Sequence, residues 1–435
     1  ANLEFRLLEL YSERIALLRE KENKEFLGAS YKLRKKHPKS YFFKKSTDLY
    51  SKTLALGNKI IKKFPNNRYK TEIYYTLALN SRDFSKDGKT EQFLLKSLSS
   101  TRGRETATSY NAKVSLAEHY YNEKKYKKAI QYYKQVVRNR SDEWYSKHLF
   151  NYSWCLFKTR RYDEAISNVK VAYKYSRKKK YISLDEQILN SLGVFYLNGG
   201  RVKEAVSYYL KNVPEATPYL FSFLDRVTSK GSFSDISYVL AKTLSYVKSK
   251  KDKNSEIKLR SKQLEIYRKF KKEDLYFLTA KKIYAFYKKN KIDKDVQNEI
   301  IEKMKSFTGF LQVRLTNNAK KNVRNYSVRE LKRIISYLNI LSFIDNEKAS
   351  QYRYLKGEMY YAVNSFSKAA KSYISALQLS KKRKKSDEDD LRKKLVNSLL
   401  VVLSEAKFDK KTSNKYTIYT SVSYTHLTLP TKCSV

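Results

Sequence analysis

Few residues in this chain are of a type that does proton-transfer or metal chemistry. The histidines are His37, His119, His148 and His426, and the cysteines are Cys155 and Cys433. His37, His119 and His148 share no spacing with cysteines or acids that suggests a metal site or a nucleophile triad, so no metal, no cofactor and no catalysis is expected. His119 and His148 read as packing or surface residues of helices. Cys155 lies among apolar neighbours and reads as a small buried hydrophobe. Two cysteines set up no disulfide framework and leave the redox compartment open. No glycine-rich phosphate loop occurs, and Gly199-Gly200 reads as a turn between helices.

Charge is the next feature with chemical content. The 435 residues hold 92 Lys plus Arg against 43 Asp plus Glu, a formal net charge of +49. Such a field attracts polyanions: nucleic acid, anionic lipid headgroups or acidic envelope polymers. An AT-rich genome yields the same abundance of Lys, Asn, Ile and Tyr, with the lysines merely solvating helix faces. Three basic runs stand out, Arg34 to Lys36, Arg177 to Lys180 and Lys381 to Lys385. No nucleic-acid reading module is visible. No run approaches the ~18 apolar residues of a membrane span, and the longest candidate, Leu395 to Leu403, is about half that and reads as a core helix.

The elements that must position these residues are helical. Gly (10) and Pro (5) are scarce and Tyr (39) abundant, which favours packed helices over disorder. Apolar spacing predicts a long helix or helix pair over 3–28, then helices over Ser46–Phe64, stopped by Pro65, over Tyr69–Phe84 and over Thr90–Ser100. Beyond the middle of the chain, helices are expected over Ser255–Phe270, Glu273–Lys288, Asp293–Gln312 with Asp293 as N-cap, and Val328–Asp345. Gly231 to Asp235 reads as a turn. The polar run Lys248 to Ser255 reads as a linker or hinge. Ser386 is expected to cap a last helix with acids in its first turn.

A pattern recurs between Tyr110 and Pro214. Small residues Ala117, Ser153 and Gly193 recur on a first helix, followed by Tyr120, Leu156 and Tyr196. Ala129, Ala165 and Ala205 recur on a second helix, 36 and then 40 residues apart. The pattern returns at Gly357, Tyr360 and Ala369. A period of this length signals a helical solenoid. Small residues there let two helices cross closely, since interaxial distances of about 8–10 Å depend on the side chains at the contact.

These blocks, 110–143, 146–179, 186–214 and 350–380, resemble the tetratricopeptide repeat (TPR). The family's second small residue on the second helix is matched by Ala172 and Ala376 but replaced by Val136 and Asn212, and its aromatic by Val169. The resemblance implies an all-α, right-handed superhelical solenoid of antiparallel helix pairs whose first helices line a concave groove. Carried onto this sequence, the groove positions are Asn111, Val114, Glu118 and Tyr121; Lys147, Phe150, Trp154 and Phe157; Gln187, Asn190, Val194 and Leu197; and Gln351, Tyr354, Glu358 and Tyr361. Tyr121, Lys147, Phe150 and Trp154 would form an aromatic and basic patch, and Trp is enriched in binding hot spots. The alternative is that Phe150 and Phe157 simply pack on adjacent helices. The family's dicarboxylate clamp is absent, since its positions carry Val114 and Glu118, Phe150 and Trp154, Asn190 and Val194.

The expected function is a non-enzymatic scaffold that binds segments of partner proteins in the groove. The rivals are a polyanion binder acting through its lysine surface, and an accessory domain of a larger enzyme. The ending Phe64-Pro-Asn-Asn and the opening Leu7 to Glu13 resemble repeats of envelope proteins of gliding and predatory bacteria. That points to the periplasm or envelope, with the cytoplasm as alternative. The chain begins without Met, and a removed leader or an internal start is expected. Val422 to Thr431 resembles a translated sequencing adapter, so 422–435 is expected to be foreign. The regions expected are a degenerate helical stretch 1–108, a TPR-like array 109–250, degenerate repeats 255–345, a TPR-like repeat with a following helix 346–421, and the tail 422–435.

Overall fold

Long runs of good helix formers broken by short turn clusters leave the chain one economical way to pair its backbone groups, and it takes it. The computed structural model describes residues 2–101, 103–322, 326–380 and 387–405, with side chains of the last stretch from residue 390. The basic run Lys381 to Lys385, the Ser386 cap, Cys433, His426 and the tail 422–435 lie outside the described residues. Among the described residues all regular structure is helical. Packing divides the chain into two units, Ala1–Ala205 and Val206–Val435.

The first unit holds α1 (Asn2–Gly28), the short α2 (Tyr31–Lys36) and α3 (Lys39–Phe42), then α4 (Lys44–Lys63), α5 (Lys70–Asp83), α6 (Asp87–Ser99), α7 (Ala107–Asn122), α8 (Tyr126–Val136), α9 (Tyr145–Lys158), α10 (Tyr162–Ser176) and α11 (Asp185–Asn198). The unit boundary falls inside α12 (Val202–Asn212). The sequence-based region 109–250 therefore spans both units. Helices pair as α1 with α4, α5 with α6, α7 with α8 and α9 with α10, each pair stacking on the next. The second unit continues with α13 (Thr217–Lys230), α14 (Phe233–Ser249), α15 (Lys253–Lys269), α16 (Glu273–Tyr287), α17 (Lys294–Lys321), α18 (Val328–Ile344), α19 (Ala349–Tyr361), α20 (Phe366–Ser380) and α21 (Asp387–Glu405). Its pairs are α13 with α14, α15 with α16, α17 with α18 and α19 with α20. Each unit is thus an all-α solenoid stack of TPR type.

The repeat residues sit where their size predicts. Ala117, Ala129, Ala165, Ala205 and Ala369 are fully buried at the crossings, and Tyr120 and Tyr196 fill the wedges between them. Gly193 is buried on α11. At Gly357 a Cβ would run into the edge of the Tyr373 ring, so only glycine fits. Of the departures from the family pattern, Val136 and Val169 are fully buried, like the matching Ala172, whereas Asn212 is exposed. Tyr360 differs: it is half-buried, with the Lys368 ammonium 5.9 Å from its ring centroid.

One turn closes many of the pairs. Ser85, Lys124, Arg160, Gly200, Lys251, Lys271 and Asn364 all adopt left-handed φ, between 53° and 70°. In each case the following residue's N–H reaches back five residues, as in Lys125 N to Tyr120 O (2.8 Å), Arg161 N to Leu156 O (2.9 Å) and Arg201 N to Tyr196 O (2.9 Å). This is a Schellman closure, which satisfies orphan carbonyls at the helix end. Of the two glycines proposed for the third turn, Gly200 takes positive φ and Gly199 stays right-handed. The same geometry corrects the reading of Lys248 to Ser255. That run is no linker: α14 ends at Ser249, Lys251 turns the chain, and Asp252 caps α15 by accepting from Ser255 N at 3.0 Å.

The helix over 293–312 is longer than its sequence reading. Asp293 caps it as expected, accepting from Asp295 N at 2.9 Å, but it runs on to Lys321. Met304, Thr308, Leu311, Leu315 and Ala319 keep one face buried throughout, and Arg314 ties it to Glu273 on α16 (2.9 Å) and Glu330 on α18 (2.5 Å).

Candidate functional site

On α9 the residues Lys147, Phe150, Trp154 and Phe157 are spaced three and four apart, which puts them on one face of the helix. All four are half-buried, whereas Leu149, Tyr152, Ser153 and Leu156 on the other face are buried. The same split recurs on the neighbours: Val114, Glu118 and Tyr121 on α7, and Asn190, Val194 and Leu197 on α11, are half-buried. The groove positions therefore form a partly exposed face on three successive first helices. Asn111 and Gln187 are exposed, and Asn111 lines an open cleft of about 540 Å³ with Lys113, Gln135 and Arg138.

Lys147 reaches across to α7, its Nζ 3.1 Å from Glu118 Oε1. Trp154 and Phe157 are committed to packing: both rings meet Phe195 of α11, at 5.0 and 4.7 Å between centroids. Tyr121 lies beside Cys155 and Tyr126, and burial is the first cause of the raised pKa of its phenol. Cys155 is fully buried, as expected, and burial pushes its thiol up to about 12. A thiol held that high is no nucleophile at neutral pH.

One residue of this face was missed. Trp144 is 42% exposed at the head of α9, its indole N–H donating to Glu143 (3.0 Å) and the Lys147 ammonium 4.8 Å from its ring. It precedes the first groove position carried over from the family, so periodicity gave no signal for it; a Trp in an otherwise polar loop was the clue. Behind it lies a polar network. Asp142 accepts from Tyr110 (2.6 Å), from the Trp144 amide (2.9 Å) and from His148 Nε2 (3.1 Å). Burial opposes ionisation of Asp142, but these partners outweigh it and hold its carboxyl below the usual range. Burial also depresses His148, against the pull of Asp142.

His119, read as a packing or surface residue, is buried and has acidic company. It sits on α7 with Glu123 Oε1 at 3.5 Å and Glu91 Oε2, from α6, at 4.0 Å. The three ligand atoms lie within 4.8 Å of one another, so among the described residues His119, Glu91 and Glu123 form a group that could hold a metal ion. The two carboxylates already have partners: Lys125 lies 2.6 Å from Glu123, Lys128 3.4 Å from Glu91, and Tyr120 donates to Glu91 at 2.7 Å. The arrangement acts as an ion-pair cluster joining α6 to α7. The His119-Glu123 spacing of four was legible; the approach of Glu91 depends on how one pair stacks on the next.

Among comparisons with known proteins, the model of the RNPP family C-terminal domain matches residues 61–215, about a third of the chain. That stretch contains the groove face. No curated protein matches in sequence. The C-terminal part of a TPR repeat-containing protein from Cytophaga hutchinsonii is 16% identical, covers 57% of this chain and 94% of its own, and superposes with a TM-score of 0.32. PilF of Pseudomonas aeruginosa is 14% identical, with 51% and 93% covered and a TM-score of 0.28. The TPR2AB domain of yeast Sti1, in its pHSP90 complex, is 14% identical, with 68% and 99% covered and a TM-score of 0.26. Superpositions this loose identify no shared site or partner. The TPR-type fold is consistent with a protein-interaction scaffold.

Proposed function

We propose that the first unit binds a segment of a partner protein along the face built by α7, α9 and α11. The observation that carries this reading is the half-buried row Lys147, Phe150, Trp154 and Phe157 beside a fully buried opposite face. A half-buried aromatic row is already partly desolvated and held by its neighbours, so a ligand that covers it gains apolar burial at little ordering cost. The Glu118–Lys147 pair sits among these rings and would select partners able to satisfy both charges. Exposed Trp144 extends the face at its edge. A peptide that docks as an amphipathic helix or an extended strand fits such a surface.

The compartment proposed is the periplasm or envelope, on the resemblance of the Phe64-Pro-Asn-Asn ending to repeats of envelope proteins. Fractionation against periplasmic markers tests it, and recovery with cytosolic markers overturns it. Among the described residues no helix is long and apolar enough to cross a membrane.

The binding face is tested by placing a photo-crosslinking residue at Phe150 in the full chain, with a control at exposed Lys174 on α10. Adducts are expected at 150 and are expected to fade in the Lys147→Glu background. Equal crosslinking at both positions, or none at 150 in the native host, overturns the assignment. A steep loss of adducts with rising salt would favour the polyanion rival, because counterion release is salt-dependent where apolar burial is not.

A further inference from the structure

In the second unit, α16, α18, α19 and α20 converge on a pocket of about 500 Å³. It is lined by three cations, Arg353, Lys356 and Lys371, and among the described lining residues there is no carboxylate. Several other buried or half-buried cations face acids: Lys147 faces Glu118 at 3.1 Å, Arg260 faces Glu256 at 2.8 Å, Lys303 faces Glu299 at 2.6 Å, and Arg314 faces Glu273 at 2.9 Å. Among the described residues, Arg353 and Lys356 find neutral partners, the Ser375 hydroxyl for the guanidinium and Asn339 Oδ1, at 3.2 Å, for the ammonium. Burial first and Arg353 second depress the pKa of Lys356, the mark of a cation held beside another without compensation.

We infer that this pocket binds a phosphate monoester. Three converging cations match a dianion, and the Arg353 fork suits phosphate oxygens better than a point charge does. Ser342 and Ser375 add hydroxyl donors, and Asn339, whose oxygen is occupied by Lys356, keeps its amide N–H groups for the ligand. The esterified group has a wall to lie against. Phe343, 47% exposed, meets Tyr284 edge-on with ring centroids 5.0 Å apart at the pocket. The site is separate from the groove positions of the same repeat. Glu358 there accepts from Tyr373 at 2.6 Å and from Ser398 at 3.3 Å, on the side of α19 that faces α21.

The test is a calorimetric titration of the full chain with phenyl phosphate and, separately, with inorganic phosphate, at fixed ionic strength set by NaCl. One saturable site per chain is expected for phenyl phosphate. Tighter binding of the ester than of the free ion assigns the source to a phosphorylated organic group, and equal binding assigns it to free phosphate. Arg353→Gln/Lys356→Met is expected to weaken binding tenfold or more. Lys320→Met/Lys321→Met, which removes the same charge from the exposed end of α17, is expected to change it less than twofold. Should the first pair fail to fold, Ser375→Asp decides: a carboxylate beside Arg353 is expected to raise the melting temperature and abolish binding. Non-saturating uptake, equal weakening by both double variants, or full binding by Ser375→Asp overturns the inference.

Discussion

At the scale of single residues, His148 and Gly357 make the sharpest statements. His148 is buried and its pKa is depressed, chiefly by burial. The folded state therefore binds its proton less readily than the unfolded state, whose histidine titrates near 6.5. Stability follows: it is intact above about pH 6.5 and is lost as pH falls through that range, because the unfolded chain takes up a proton that the folded chain resists. Asp142, also depressed, adds a loss of the same sign only at lower pH, beginning where the unfolded carboxylate takes up its proton. The melting temperature of the wild type should fall more steeply from pH 7.5 to 5.5 than that of His148→Gln, which retains a donor for Asp142. A steeper fall in the variant would mean that the pair with Asp142 wins over burial. Gly357→Ala should cost about 1–3 kcal/mol, since the Tyr373 ring it meets is buried and pinned by its hydroxyl on Glu358. Gly88→Ala is the control, with open space at its Cβ and no expected loss in chemical denaturation.

At the scale of elements, the recurring left-handed turn decides what a short polar run becomes. Six of its seven left-handed residues are not glycine: Ser85, Lys124, Arg160, Lys251, Lys271 and Asn364. An L-residue in that region costs roughly 1 kcal/mol relative to glycine, offset in part by the added backbone freedom of glycine in the unfolded chain. Arg160→Gly should therefore stabilise by about 0.5–1 kcal/mol, read as a raised urea midpoint at unchanged slope, and an unchanged or lowered midpoint would show the turn to be unstrained. The helices themselves were legible in sequence, because Pro65 and Gly231 stop them where expected and the small residues Ala129, Ala165 and Ala205 mark the crossings. Lys248 to Ser255 was not, because composition registers polarity but not the single left-handed residue that turns Lys-Ser-Lys-Lys-Asp into a tight closure. The groove face was legible only through the repeat. Trp144 sits before the first groove position, and Glu91 meets His119 across two pairs, so neither periodicity nor spacing reached them.

At the scale of the whole molecule, two electrostatic effects compete and their sizes decide the outcome. Ion pairs such as Lys24–Glu20, Arg161–Glu164 and Lys305–Glu302 are largely exposed. Pairs of that kind contribute about 0–1 kcal/mol each, so screening them loses little. Against this stands a net charge of +49 carried by one chain. Folding concentrates that excess, and like-charge repulsion opposes the compact state until salt shortens its reach. The Debye length falls from about 30 Å at 0.01 M to about 10 Å at 0.1 M and about 3 Å at 1 M, so most of the relief comes in the first few tenths molar. The melting temperature should rise from 10 mM to 300 mM NaCl and then level off. A continuous rise to 1 M would point to salting-out of apolar surface instead, and a fall would mean that the exposed pairs outweigh the net repulsion. The same titration bears on the pocket among Arg353, Lys356 and Lys371. Phenyl phosphate should raise the melting temperature further at 300 mM NaCl, where general repulsion is already screened but three cations within one cavity still face each other at short range.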